Sequence, residues 1–365
     1  MTDSRATEAR VAGPVRIVGV GLLGASIGLG LRAKGVEVVL ADASPTHLAI
    51  AADYGAGRPA TPDDVPQLVV VCVPPDVTAD VVAAELAANP TAIVTDVASV
   101  KLAIYDDLAA RGADLSRYLG THPMAGREVG GPMSGRADLF VGRPWVVAAH
   151  EGISYRDASV IDDLILDLGA TLIELTPEQH DRAVALVSHV PQVVSTLMAR
   201  RLIDAPHASV NLAGQGIRDV TRVAASDPEL WVQILGQNAS PVIEILRGYR
   251  EDLDRFISAL DDLDAPGARR RIAEELFGGN TGVERLPGKH GVDRRYASLI
   301  VMVDDRPGQL AKLFNDVGDA GVNLEDLRLE HSPGAQVGLA EISVLPEVLE
   351  RLTDELAARG WRIAG

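Results

Sequence analysis

Gly19-Val20-Gly21-Leu22-Leu23-Gly24 follows a β-branched run at residues 15–20 and precedes a stretch rich in alanine and leucine. A strand, this spacing and a helix form the context of a dinucleotide-binding turn. Gly19 makes the tight turn, Gly21 lets the backbone approach a diphosphate, and Gly24 lets helix and strand pack closely. The helix N-terminus, beginning at Leu22 and Leu23, then faces the phosphates. A glycine-rich turn without a ligand would share the spacing. Asp42 ends the next β-branched run, 18 positions after Gly24. A carboxylate there bonds the hydroxyls of an adenosine ribose and repels a 2′-phosphate, so NAD rather than NADP is the expected cofactor. Alternatively, Asp42 or Ser44, ahead of Pro45, caps a helix.

Three further clusters carry polar chemistry: Thr95-Asp96-Val97-Ala98-Ser99-Val100-Lys101, Gly120-Thr121-His122-Pro123-Met124-Ala125-Gly126, and Val187-Ser188-His189-Val190-Pro191. The first two follow the expected fourth and fifth strands and belong at the carboxyl edge of a parallel sheet, where ligands bind. His122 is therefore a candidate general base, with a loop histidine bonded to a carbonyl as the alternative. No histidines show a metal-ligand spacing such as HExxH, so no metal is expected.

The elements that must position these residues can be read from the pattern. The chain has 365 residues, which is long for one core. Over residues 14–175, short β-branched runs alternate with Ala/Leu-rich stretches, which predicts a Rossmann-like, doubly wound α/β domain with a parallel sheet. Residues 1–13 read as a disordered tail without a signal peptide. At Thr176, with Pro177 and Gln179, a capping box opens a helical region over 176–279. Its apolar residues recur at Ala183, Leu186, Val187, Val190, Val194 and Leu197. A second long helix starts at Asp227-Pro228 and is expected to break at Pro241. These helices lack a sheet to cover, so they predict a substrate and dimerisation domain. Residues 280–295 read as a linker rich in glycine and charge. Residues 296–365 follow a βαββαβ order, the ferredoxin-like sandwich.

Composition narrows the function classes. The formal charge is −17, which repels nucleic acid and anionic membranes. One cysteine, Cys72, allows no intrachain disulfide, and no apolar run spans a bilayer, so a cytoplasmic protein is expected.

The ordered motifs GVGLLGASIG, TDVASVK, THPMAG, VSHVP and RDVTRVAASDPELW resemble the prephenate/arogenate dehydrogenase family of tyrosine biosynthesis, over about residues 15–279. The resemblance implies NAD-dependent oxidative decarboxylation of prephenate to 4-hydroxyphenylpyruvate. In that family the histidine matching His122 takes the ring hydroxyl's proton, and the serine matching Ser99 bonds the same hydroxyl. The arginine matching Arg222 pairs with a substrate carboxylate, for which its planar fork is suited, and His189 lines the pocket. Without the resemblance, Arg222 would read as a surface residue paired with Asp219. Many members carry a histidine where this chain has Gln192, which donates a hydrogen bond but no charge. Glu128 could gate the site or meet the amine of arogenate, so arogenate dehydrogenase is the alternative activity. A regulator that senses NAD and an amino acid without catalysis is the alternative from another class.

The C-terminal part resembles an ACT domain through Asp304-Asp305-Arg306-Pro307-Gly308-Gln309-Leu310 and Gly321-Val322-Asn323-Leu324. That resemblance implies an amino-acid effector, with tyrosine as the obvious one. It would be held by Asp305, Pro307, Gly308, Gln309, Leu310 and Asn323, and by the amides opening a helix at Pro307. The expected assembly is a homodimer.

Overall fold

The structure, a computed structural model, describes residues 9–126, 130–286, 296–331 and 337–364. Five strands form a parallel sheet: β1 (Val15–Val18), β2 (Val38–Ala41), β3 (Arg58–Pro59), β4 (Leu68–Val71) and β5 (Ile93–Asp96). Their order is β3-β2-β1-β4-β5. The helices between them are α1 (Leu22–Ala33), α2 (Pro45–Asp53) and α3 (Pro75–Ala88), and α4 (Leu102–Ala110) follows β5. All four residues of β4 are buried, as expected for a strand covered on both faces. Ile17, Leu40, Leu68 and Val70 share one core with Ile27 and Leu31 of α1. Val69, Val71 and Val94 share the other with Val82, Leu86, Ile104 and Leu108.

The parallel pattern then ends, contrary to the expectation for the later strands. β6 (Thr121–Pro123), β7 (Pro144–Ala148) and β8 (Thr171–Leu175) form a separate sheet in which β6 runs antiparallel to β7. A parallel neighbour needs a crossover, normally a helix. Within the described part of 124–143 there is only a single 3-10 turn, at Pro132–Ser134, whereas α5 (Tyr155–Asp167) separates β7 from its parallel neighbour β8. His122 consequently lies within a strand, opposite Val146, and not in the loop beyond it.

The start of the described chain also corrects the expected tail. The amides of Arg10 and Val11 donate to Asp167 Oδ2 at 2.8 and 3.0 Å, and Val11 is buried in the first core. These contacts order residues 9–13, which lie within the segment read as disordered.

The helical region comprises α6 (Pro177–Val184), a π-helical turn at Ala185–His189, α7 (Val190–Arg200), α8 (His207–Val210), α9 (Gln215–Thr221), a 3-10 turn at Arg222–Ala224, α10 (Pro228–Gln237), α11 (Ala239–Asp261) and α12 (Ala268–Val283). The capping box at Thr176 forms, with Gln179 N donating to Thr176 Oγ1 at 3.2 Å and Thr176 N to Gln179 Oε1 at 3.0 Å. The expected apolar stripe holds only in part, with Val190 buried and Val194 packed against the same cluster. Leu186, Val187 and Leu197 are exposed, and the buried face of α6 is Pro177, His180, Asp181 and Val184. The second helix breaks at Asn238, three residues before Pro241, because proline is tolerated in the first turn of a helix. Residues 280–283, expected in the linker, continue α12, since isolated glycines cost only about 1 kcal/mol each in a helix. Residues 287–295 lie outside the described part. Among the described residues no helix is long and apolar enough to cross a membrane.

The chain divides into two compact units, and the division cuts the expected helical domain. One unit runs to Ile203 and includes Thr221–Tyr249; the other holds Asp204–Val220 and everything from Arg250. In the second, β9 (Ala297–Asp304), α13 (Gln309–Asp319), β10 (Asp326–His331), β11 (Val337–Val344), α14 (Pro346–Ala358) and β12 (Arg362–Ala364) give the βαββαβ order expected. The antiparallel sheet has the order β10-β11-β9-β12. Burial alternates along β11, and Val301, Val303, Ala340, Ile342 and Val344 pack against Leu313, Val317, Leu352 and Leu356. The helix expected from Pro307 begins at Gln309, because Gly308 takes φ of 87° in the preceding turn.

Candidate active site

The glycine turn has the geometry its spacing predicts. Gly19 takes φ of 92°, and a Cβ there would lie 2.5 Å from the Cys72 carbonyl oxygen. A Cβ on Gly24 would lie 2.0 Å from the Gly19 carbonyl oxygen, so helix and strand approach as closely as glycine permits. Gly21 faces open space and precedes α1 without a side-chain cap, which leaves the amides of Leu22, Leu23 and Gly24 for a ligand. These features fit a diphosphate. Asp42 accepts from Val20 N and Ser44 N, both at 2.7 Å, one on each carboxylate oxygen. Ser44 is the cap of α2, through His47 N, so Asp42 has lone pairs to spare for ribose hydroxyls.

Beyond β5, the second cluster folds around Asp96. Its buried carboxylate accepts from Ala98 N at 2.8 Å, from the Tyr118 hydroxyl at 2.7 Å and from the Lys101 ammonium. Lys101 is 1% exposed; burial pushes its pKa down, and Asp96 opposes that shift. This buried pair fixes the turn that carries the half-buried Ser99.

His122 Nδ1 lies 2.8 Å from His180 Nε2, and His180 Nδ1 lies 2.7 Å from Asp181 Oδ1. Asp181 also accepts from the amides of Lys101 at 2.8 Å and Leu102 at 3.0 Å, capping α4. His122 is half-buried, whereas His180 is fully buried. Burial, reinforced by His180 and Lys101, holds the His122 pKa well below the ordinary histidine value. Burial also lowers His180, and it takes His189 to about 4. All three rings are neutral at pH 7.

His189 ends the π-helical turn, 5.9 Å from the Trp231 ring. The turn has a local cause: Pro191 has no N–H to give the Val187 carbonyl, and its ring would crowd that carbonyl in a regular α-helix. Asn238, in the break between α10 and α11, donates from Nδ2 to the Asp181 carbonyl at 2.8 Å and to His189 Nδ1 at 3.0 Å. His189 therefore carries its proton on Nε2 and is a neutral donor.

The structure thus joins the Ser99 turn, His122 and His189 through Asp181. Gln192 is buried on α7, with the Ser226 hydroxyl 3.5 Å from its Oε1. Arg222 is exposed on a 3-10 turn that packs against α7. It heads that turn instead of lying inside the expected helix, and Asp219 accepts from Gln215. Glu128 lies outside the described residues. Sequence reasoning missed His180, Asp181 and Asn238. The available signal was the helical spacing of His180 and Asp181 with Pro177 and Val184, since polar residues on a buried face must have partners.

In the C-terminal unit, Asp305 and Leu310 of the expected effector residues line a small cavity with Val303, Asp304, Arg306, Leu329, Gly338 and Leu339. Pro307, Gly308, Gln309 and Asn323 are not among its lining residues, and Asn323 donates to Glu325 at 3.2 Å.

Residues 27–174 match the family model described as prephenate dehydrogenase, nucleotide-binding domain. Residues 176–274 match that described as prephenate dehydrogenase, dimerization domain. The "Probable prephenate dehydrogenase NovF" of Streptomyces niveus is 36% identical over 353 residues, covering 94% of this chain and 98% of that protein. A solved prephenate dehydrogenase from Aquifex aeolicus, in complex with hydroxyphenyl propionate and NAD+, superimposes with a TM-score of 0.66 at 26% identity. The match covers 74% of this chain and 96% of that one. The arogenate dehydrogenase of Synechocystis gives a TM-score of 0.61 at 27% identity, over 73% of this chain and 99% of its own.

Proposed function

The chain belongs to the prephenate dehydrogenase family, and from that premise we propose that it oxidises prephenate with NAD to 4-hydroxyphenylpyruvate and carbon dioxide. The observation that carries the reading is His122, a half-buried residue whose imidazole is held neutral, beside the Ser99 turn. One of its nitrogens is engaged by His180, and the other has no protein partner among the described residues.

Bound NAD supplies the hydride acceptor, and the turn at Gly19, Gly21, Leu22, Leu23 and Gly24 with Asp42 would hold it. His122 takes the proton of the C4 hydroxyl as the C4 hydrogen leaves as hydride, while Ser99 bonds the same oxygen. The C4 ketone accepts the electron pair of the breaking ring–carboxylate bond through the ring, and carbon dioxide departs. His122 returns its proton to the phenolic oxygen, so atoms and charge balance. Arg222 pairs with a substrate carboxylate, while Gln192 and the Nε2–H of His189 donate to the substrate without adding charge.

Arogenate is the second reading, favoured by the likeness to the Synechocystis enzyme. Initial rates with prephenate or arogenate against NAD or NADP decide substrate and cofactor together. Prephenate with NAD should be fastest; turnover of arogenate alone overturns the substrate, and preference for NADP overturns the role of Asp42.

The same reading makes the protein a cytoplasmic homodimer. The exposed Leu186, Val187 and Leu197 belong to helices matched by the dimerisation-domain model and would be covered by a second copy. The C-terminal unit acts as an ACT-like sensor of tyrosine, which the cavity at Asp305 and Leu310 supports.

A further inference from the structure

A neutral imidazole has one protonated and one bare nitrogen, so His122 can take a proton only if the bare nitrogen faces the substrate. We propose that His180 and Asp181 are positioning residues that lock His122 in its Nδ1–H tautomer and leave Nε2 bare. This rests on the reading of His122 as the base.

The constraint runs inward from an anchored acceptor. An ionised carboxylate only accepts hydrogen bonds, and Asp181 is fixed in place by the amides of Lys101 and Leu102, one on each oxygen. His180 Nδ1, 2.7 Å from Oδ1, must therefore carry a proton. With His180 neutral, its Nε2 is bare and can only accept. His122 Nδ1, 2.8 Å away, then has to be the donor, and the lone pair of His122 is left on Nε2.

The opposite polarity requires a doubly protonated His180. Asp181 and Asp96 favour that cation, but complete burial, the largest influence, and the Lys101 ammonium work against it, and the net effect lowers the His180 pKa. His180 has no exposed surface, so water does not compete for either nitrogen. The same carboxylate caps α4 two residues beyond Ser99, so one group sets both the tautomer of His122 and the placement of the serine turn. When His122 holds the substrate's proton, its Nδ1–H still points down the chain toward the Asp181 charge, which favours the imidazolium. An acid that orients and stabilises an imidazole through hydrogen bonding is sound chemistry, here extended by one ring.

The test uses the full-length chain labelled with 15N-histidine, its His122 signals assigned by their loss in His122→Asn. Ring 15N–1H correlations should place the His122 proton on Nδ1 in the unmutated protein. His180→Leu should release it to a mixture of tautomers and lower kcat by about 10- to 100-fold with the NAD Michaelis constant unchanged. His180→Gln, whose carbonyl oxygen can accept from Nδ1, should restore most of kcat. A wild-type His122 protonated on Nε2 overturns the proposal, as does a His180→Leu enzyme within twofold of normal kcat. If His180→Leu does not fold, the wild-type spectrum and His180→Gln still decide. The spectrum needs no substrate, so a chain that turned over neither prephenate nor arogenate would sink the catalytic reading and leave the tautomer separately decided.

Discussion

The two compact units bury different chemistry. Every buried polar or charged residue among the described ones belongs to the first, including Asp96, Lys101, His180, Asp181, His189 and Asn238. The βαββαβ core of the second is aliphatic apart from Trp361. Burying a polar group costs free energy unless its partners are supplied, and partners constrain position. The first unit has spent stability on fixing atoms, whereas the second has spent nothing beyond packing. The buried polar network thus lies in the same unit as the residues proposed for the chemistry.

Breaking the two cores should therefore give different penalties. Lys101→Met leaves the Asp96 charge buried and unpaired, which costs about 3–5 kcal/mol, and the loss should appear in urea unfolding followed at Trp145 and Trp231. Leu313→Ala opens a cavity costing about 2–5 kcal/mol, followed at Trp361, with kcat unchanged at temperatures where both units stay folded. A loss of kcat in folded Leu313→Ala would erase the distinction between the units.

A smaller effect sharpens the assignment of the glycine turn. Asp42→Ala removes charged hydrogen bonds worth about 1.5–3 kcal/mol, so the NAD Michaelis constant should rise about 10- to 150-fold. An unchanged constant means the ribose is held elsewhere.

Mild acid should separate the units by the smallest margin. Burial depresses the pKa of His122, His180 and His189 in the folded state, the last to about 4. Below about 6.5 the unfolded chain binds protons that these buried rings refuse, so the first unit loses stability as pH falls from about 6.5 toward 4. In the C-terminal domain Asp316 is lowered, chiefly by the Trp361 indole N–H. Its contribution is intact above the ordinary carboxylate pKa and fades only as pH falls below it. Urea midpoints at pH 7 and pH 5 should shift for Trp145 and Trp231 and stay constant for Trp361.

The same contrast explains what could be read in the sequence. Alternation along β9 and β11 matches their burial, so these two strands are legible in the sequence. The glycine turn is legible because steric need at Gly19 and Gly24 leaves a fixed spacing. The π-helical turn at Ala185–His189 and the break at Asn238 leave no periodic signature. His180 and Asp181 escape a search for apolar positions because they occupy core positions with polar side chains. The antiparallel course of β6 depends on what lies between β6 and β7, not on the composition of the strand itself.

The proposed chemistry turns on His122 as the base. Turnover of prephenate should be measured for the full-length chain and for His122→Asn, with NAD affinity titrated on the same samples. Turnover should fall about 10²- to 10⁴-fold while NAD affinity stays within twofold. A His122→Asn enzyme that turns over at near the normal rate contradicts that role.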